Sequence, residues 1–197
     1  MIANCRKFFD VPWHFGEPGA PAFEPVTPDE FSAHSHVDAV DGQEKISDYL
    51  ASAVGWVENE VSRAIASRTQ VLYLDYFPSG AVEWRLPPLA SLTSVVYLDG
   101  SGQSVTLSPS LYRVSLTGKP ARITPAYGQS WPTTYPVVDA IQITGVCGYA
   151  NAEAVPACAK QAIRYMAALM FEHREPTETD LYIVQRMLDP IRWGGSV

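Results

Sequence analysis

Residues 156–174 read PACAKQAIRYMAALMFEHR, and the fold turns on them. Pro156 stands where a first helical turn tolerates a residue without an N–H. Alanine is abundant, and no glycine interrupts the run. Apolar side chains recur at Ile163, Met166, Ala167, Met170 and Phe171, close to the 3.6-residue period of a helix with one buried face. Pro176 ends the run. A helix of this length needs a partner surface, and the rest of the chain has to supply it.

Upstream, the pattern changes twice. TQVLYLDYF, from Thr69, alternates and is rich in branched and aromatic residues, which predicts a strand. Further short strands are expected at about 81–86, 93–100, 104–107, 111–115, 121–124 and 137–149, separated by turns such as Pro78-Ser79-Gly80 and Thr117-Gly118-Lys119. The stretch 69–149 therefore reads as a β-rich insertion of six or seven short strands. Before it, Ile46, Leu50, Ala53, Val57, Val61 and Ile65 share one face of a helix expected over 43–66. Gly55 within that helix suggests close packing against another backbone. Thr27-Pro28-Asp29-Glu30 is a helix start, with a capping threonine, proline at the first position and two acids at the positive end of the dipole, so a short helix is expected over 28–36. Thr177-Glu178-Thr179-Asp180 is a second capping region ahead of a helix at 180–188, closed by Asp189-Pro190. The fold class is α+β: a helical core (28–36, 43–66, 156–174, 180–188) with the β-rich insertion 69–149. Residues 27–197 are expected to form a single domain.

Residues 1–26 stand apart. Four prolines and two glycines argue against helix, yet Phe8, Phe9, Trp13, Phe15 and Phe23 are too many aromatics for a segment that stays in water. An irregular arm lying on its own domain or on a neighbour is expected, with disorder as the alternative.

Composition narrows the function. The 197 residues suffice for one domain with a sizeable core, or a domain with a small module. The net charge is −7, with only fourteen Lys and Arg, so there is no global basic footprint for nucleic acid. Cys5, Cys147 and Cys158 are neither a disulfide framework nor a zinc pattern, and reduced thiols are expected. The N-terminus lacks the apolar core of a secretory signal, and no apolar run is long enough to span a membrane.

No catalytic, metal or cofactor signature emerges. His34 and His36 are two positions apart and would not face one ion on a helix. Glu172, His173 and Glu175 sit at a helix C-terminus, where cationic side chains are common for dipole reasons. Seven serines fall within 91–115, but without GxSxG, and no histidine lies between 37 and 172. Trp131, with Tyr127 and Tyr135, lies in a Pro-rich loop without an adjacent basic cluster, which favours packing on the sheet or on a neighbouring subunit over base stacking.

Three longer stretches then act together: FPSGAVEWRLPPLASLTSVVYLDGSG (77–102), LSPSLYRVSLTGKPARITPAYGQSWPTTYPVVDAIQITGVCGY (107–149) and VPACAKQAIRYMAALMFEHRE (155–175). They resemble the head–tail connector (adaptor, head-completion) proteins of long-tailed phages and gene transfer agents. PAYGQSWP (125–132) is the most distinctive block, and LDPIRW (188–193) resembles the usual close of the family. Residues 1–26 depart from the pattern, since most relatives begin near the first helix.

The resemblance implies a non-enzymatic virion protein without cofactor or metal, made in the host bacterial cytoplasm and placed at the head–tail junction. It implies a ring, typically dodecameric, docked under the portal protein. The ring would extend the DNA channel without sequence-specific binding and carry the stopper or tail-completion protein. The purified chain alone is expected to be monomeric, with the portal as template. Ala159, Ala162 and Ala168 are candidate close-approach positions between subunits, and Arg164, Glu172, Tyr127 and Trp131 are candidate subunit-interface residues. The tail 189–197, with Ile191, Arg192 and Trp193, is the candidate portal-docking element, and a chain ending at Leu188 is expected to fold without joining portal-bearing capsids. Two rival readings are a stopper or tail-completion protein and, less favoured, a hydrolase.

Overall fold

A computed structural model of the chain describes residues 12–35, 43–172 and 176–192. Among the described residues, four α-helices and eight strands in two antiparallel sheets give an α+β protein. The chain divides into two compact units, each assembled from separate pieces of sequence. One holds residues 12–20 and Arg68–Cys147; the other holds Pro21–Ser67 and the chain from Gly148 onward.

The helical unit contains α1 (Pro28–Ser35), α2 (Gln43–Val61), α3 (Ala157–Glu172) and α4 (Glu178–Leu188). Both capping signals close into reciprocal boxes. The Glu30 N–H donates to Thr27 Oγ1 at 3.2 Å while the Thr27 N–H donates back to Glu30 Oε2 at 3.3 Å. Thr177 and Asp180 repeat the arrangement at 3.3 and 3.1 Å. Each box satisfies two helix-end donors that would otherwise face water alone. The core joins Phe31 of α1, Ile46, Leu50, Ala53 and Val57 of α2, Ile163 and Met166 of α3, and Val184 and Leu188 of α4. The buried stripe of α3 is rotated from the sequence expectation. It includes Ala159, Ala162 and Leu169, whereas Phe171 is 40% exposed. Phe171 lies about 100° round the helix from Met170, and that step takes it off the core face, where its ring meets Tyr49 edge-on.

Helix α2 ends at Val61, five residues before the expected boundary. The Arg63 N–H donates to the Glu58 carbonyl at 3.1 Å and the Ser62 N–H to the Asn59 carbonyl at 3.2 Å, the paired bonds of a Schellman stop. Ser62 takes the left-handed position, at φ 52°. Glu58 Oε1 then accepts the Ile65 N–H at 2.6 Å, so Ala64, Ile65 and Ala66 are buried as extended chain, not helix. Serine pays a steric penalty there that glycine does not. Ser62→Gly is expected to raise stability by about 0.5–1 kcal/mol in urea denaturation, and a loss of stability would refute the left-handed stop.

Gly55 also differs from expectation. Apart from the adjoining turns of its own helix, no described atom lies within 4 Å of where its Cβ would be, so this glycine faces open space and supports no close packing.

The β unit contains β1 (Trp13–Phe15), β2 (Arg68–Leu74), β3 (Val82–Trp84), β4 (Leu89–Leu98), β5 (Ser104–Thr106), β6 (Tyr112–Ser115), β7 (Ala121–Pro125) and β8 (Ile141–Cys147). A five-stranded sheet runs β1-β2-β8-β4-β5 and a three-stranded sheet β3-β7-β6. Alternation places Leu72, Leu74, Ile141 and Ile143 inward, with Leu72 opposite Ile143 and Leu74 opposite Ile141. Trp84 of the smaller sheet is fully buried, and its ring lies over Gly145 of the larger one. An added Cβ at Gly145 would sit 3.2 Å from Trp84 Cη2 and 2.9 Å from Leu89 Cδ1, so the glycine makes room for the indole.

Strand β4 begins at Leu89, directly after Pro87-Pro88, and not at 93. Register shifts between Leu89 and Ser91 and between Leu92 and Ser94 absorb its irregular first half.

Part of the expected irregular arm is ordered on its own unit. Trp13–Phe15 pair with Leu74–Leu72, the Gly16 N–H donates to the Val71 carbonyl at 2.9 Å, and the Gly19 N–H donates to the Thr69 carbonyl at 2.9 Å. Prolines at 12 and 18 fit because this is an edge, where a missing donor costs no ladder bond. Phe15 packs edge-on to Trp84 at 5.3 Å, and Arg85 lies over the Trp13 ring at 5.4 Å. Phe8 and Phe9 lie outside the described residues.

Candidate assembly surfaces

Tyr127 and Trp131, expected together at a subunit interface, have different situations. Trp131 is fastened to its own unit: its ring stacks on Phe77 at 4.5 Å and 3°, and its Nε1–H donates to the Gly80 carbonyl at 2.9 Å. Tyr127 occupies a tight turn closed by the Gln129 N–H to the Ala126 carbonyl at 2.9 Å, with Gly128 at φ +73°. That turn holds the Tyr127 ring 100% exposed. Farther along the same loop, Thr134, Pro136, Val137 and Val138 line an open pocket with Asp75 and Tyr76. Val138 is 74% exposed. Tyr76, Tyr135 and Val137, on the same loop and the strand end beside it, are exposed as well, at 43%, 41% and 40%.

In the helical unit, Arg164 Nη2 lies 3.6 Å from Glu30 Oε2 of the same chain, tying α3 to the capping box of α1. Glu172 is exposed at the end of α3. Ala159 and Ala162 are consumed by the core of their own unit, and Ala168 packs partly against it. Ile191 also packs on this core, and Arg192 Nη2 reaches Glu60 Oε1 at 2.6 Å with Nε 3.8 Å from Asp189 Oδ1. The first residues of the tail are thus anchored to α2. His36, His173, Glu175, Trp193 and Cys5 lie outside the described residues.

Among the described residues no group of three or more His, Cys, Asp or Glu side chains is arranged to hold a metal ion. His14 Nδ1 lies 3.6 Å from Asp139 Oδ1, and its ring stacks on Tyr73 at 5.1 Å. Cys147 is buried, with its Sγ–H directed at the Arg68 carbonyl at 3.7 Å, and Cys158 is half-buried. The Asp99 carboxylate accepts from the Ser101 hydroxyl at 2.6 Å and from the Gln103 and Ser101 N–H groups, which lowers its pKa and shapes the β4–β5 turn. No described helix is long and apolar enough to cross a membrane.

One surface escaped the sequence reading because net charge hid it. The hairpin of β6 and β7, residues 111–125, carries Arg113, Lys119 and Arg122 and no acid. Register places Arg113 opposite Thr124 and Ser115 opposite Arg122, so both arginines stand on one exposed face.

No protein-family model matches the sequence, and no curated protein does. The fold is shared with solved structures. A chain in the neck of an empty gene transfer agent particle, computed with C6 symmetry, aligns at TM-score 0.73 and 20% identity, over 88% of this chain and 94% of that one. A chain in the virion of a native gene transfer agent particle aligns at TM-score 0.70 and 20% identity over the same shares. A chain in the neck of the native particle, computed with C12 symmetry, aligns at TM-score 0.70 and 21% identity, again over 88% and 94%.

Proposed function

We propose that this chain is a structural protein of the neck of a phage-like particle, a head–tail adaptor. It forms a ring beneath the portal, lengthens the DNA channel and presents a platform for the stopper or tail. The observation that carries this reading is the common fold, which spans 88% of this chain and 94% of a neck chain of a gene transfer agent particle. The surfaces fit an assembly role. Tyr127 and Val138 are exposed, and the net charge of −7 suits a wall past which DNA must move without being gripped. A heterologous contact repeated about an axis closes into a ring.

Electron microscopy of particles made with and without this protein tests the reading. A ring of density at the portal vertex is expected only when the protein is present. Density that instead travels with free tails would reassign it to tail completion.

The tail is the proposed portal contact. A chain ending at Arg192 retains both Ile191, packed on the helical core, and Arg192, paired with Glu60. The shortened chain is expected to keep its helical signal and melting temperature and to be missing from portal-bearing capsids. Incorporation at the normal level would rule out residues 193–197, Trp193 among them, as the docking element.

A further inference from the structure

Charge is divided unequally between the two units. Residues 12–20 with Arg68–Cys147 hold as many cations as acids, whereas Pro21–Ser67 with the chain from Gly148 hold fifteen acids and seven cations. Within the neutral unit, the β6–β7 hairpin concentrates Arg113, Lys119 and Arg122, all exposed. None of the three makes an ion pair among the described residues. Glu83, opposite Arg122 across the strands, lies 3.5 Å from Arg85. Leu111 and Leu116, 37% and 46% exposed, flank the cations. Arg113, Ser115, Leu116, Arg122 and Thr124 line one shallow depression.

The helical unit offers the complement. At the end of α3 and along α4, Phe171, Tyr182 and Ile183 are 40%, 55% and 37% exposed, with the exposed acids Glu172 and Glu178 beside them. The nearby cation Arg186 is already held by Asp189 at 3.1 Å and by the Tyr182 hydroxyl at 2.9 Å. Among the described residues, one surface is basic with exposed leucines, and the other is acidic with exposed aromatic and aliphatic side chains.

We propose that the β6–β7 hairpin of one copy docks on the α3–α4 end of the next copy, with Arg113, Lys119 and Arg122 facing Glu172 and Glu178. This rests on the assembly reading above and names its subunit contact. A second copy is favoured over duplex DNA for two reasons. The leucines have no role against phosphates, and the excess of acids elsewhere on the chain opposes binding a polyanion. The two surfaces differ, so the contact is head-to-tail and leaves a pair of copies with one free hairpin and one free helical end.

Carbodiimide coupling forms an amide only where an amine and a carboxylate already touch, so it traps contacts too weak to hold a ring. An equal mixture of 15N-labelled and unlabelled full-length protein, concentrated at low ionic strength, is the sample. Mixed-isotope peptides linking Lys119 to Glu172 or Glu178 are expected. Arg113→Glu with Arg122→Glu should lower their yield about tenfold, because like charges then face each other. Adding Glu172→Lys and Glu178→Lys to that variant should restore coupled dimers. Only same-isotope links, or a yield indifferent to the reversals, would overturn the proposal. So would tight binding of a duplex oligonucleotide that the arginine reversals abolish. The readout needs no portal, so its failure is separable from failure of the neck assignment: density at the vertex without this cross-link would retire the interface alone.

Discussion

Alanine in place of Gly148 is expected to cost more than about 3 kcal/mol of stability. Gly148 has φ +102°, a conformation that side-chain-bearing residues rarely adopt. Its missing Cβ would also strike the Ala66 carbonyl group and stand 2.8 Å from the Ser67 nitrogen. Those are backbone atoms, so no rotamer change relieves the clash. They belong to a tight junction in which the Tyr149 N–H donates to the Ile65 carbonyl at 3.0 Å and Arg63 Nη1 donates to the Tyr149 hydroxyl at 3.3 Å. Urea denaturation of wild type and variant measures the loss, and a change below about 1 kcal/mol would contradict the argument. Gly55→Ala is the matched control. That glycine is exposed within α2 with nothing near its Cβ position, so alanine should stabilise by about 0.5–1 kcal/mol.

Trp84→Ala is expected to cost about 3–5 kcal/mol. The indole is fully buried, meets Phe15 at 5.3 Å, and donates its Nε1–H to the Leu86 carbonyl at 2.9 Å. It is also the side chain that Gly145 makes room for, so its removal empties the space between the two sheets. No neighbour can refill that space cheaply, because Gly145 has no side chain to extend. Trp84→Phe should retain most of the stability while losing the hydrogen bond. Equal losses for both variants would mean that the bond, and not the packed volume, dominates.

These two sites also show what the sequence could and could not disclose. Helix starts were legible because their chemistry is local: Thr27 with Glu30 and Thr177 with Asp180 are three residues apart, and both boxes formed. Strands were legible where alternation is strict, as in Arg68–Leu74 and Ile141–Cys147. The end of α2 was not, because apolar spacing continues to Ile65 while the stop is a serine in a conformation usually taken by glycine. Strand β1 was hidden by prolines, which exclude helix but are tolerated on an edge. The strand order β1-β2-β8-β4-β5 depends on long-range pairing that no local pattern encodes. At the candidate surfaces, the aromatic loop was visible as composition. Its division into a stacked Trp131 and a projecting Tyr127 needed Phe77 and Gly80, about fifty residues earlier. The basic hairpin could have been found by summing charge over 111–125 instead of over the whole chain.

The interleaving of the two units along the sequence has a consequence during synthesis. All the pieces of the β unit exist once Cys147 has been made, and its strands can pair while the rest is still being translated. The helical unit cannot close then. Ile46, Ala53 and Val57 must wait for Ile163 and Met166, about a hundred residues later. On the ribosome, α1 and α2 therefore carry an uncovered apolar face through the whole time the β unit takes to form. The outer sides of those helices expose Asp29, Glu30 and Asp48, and like charges of this kind repel one another between neighbouring nascent chains.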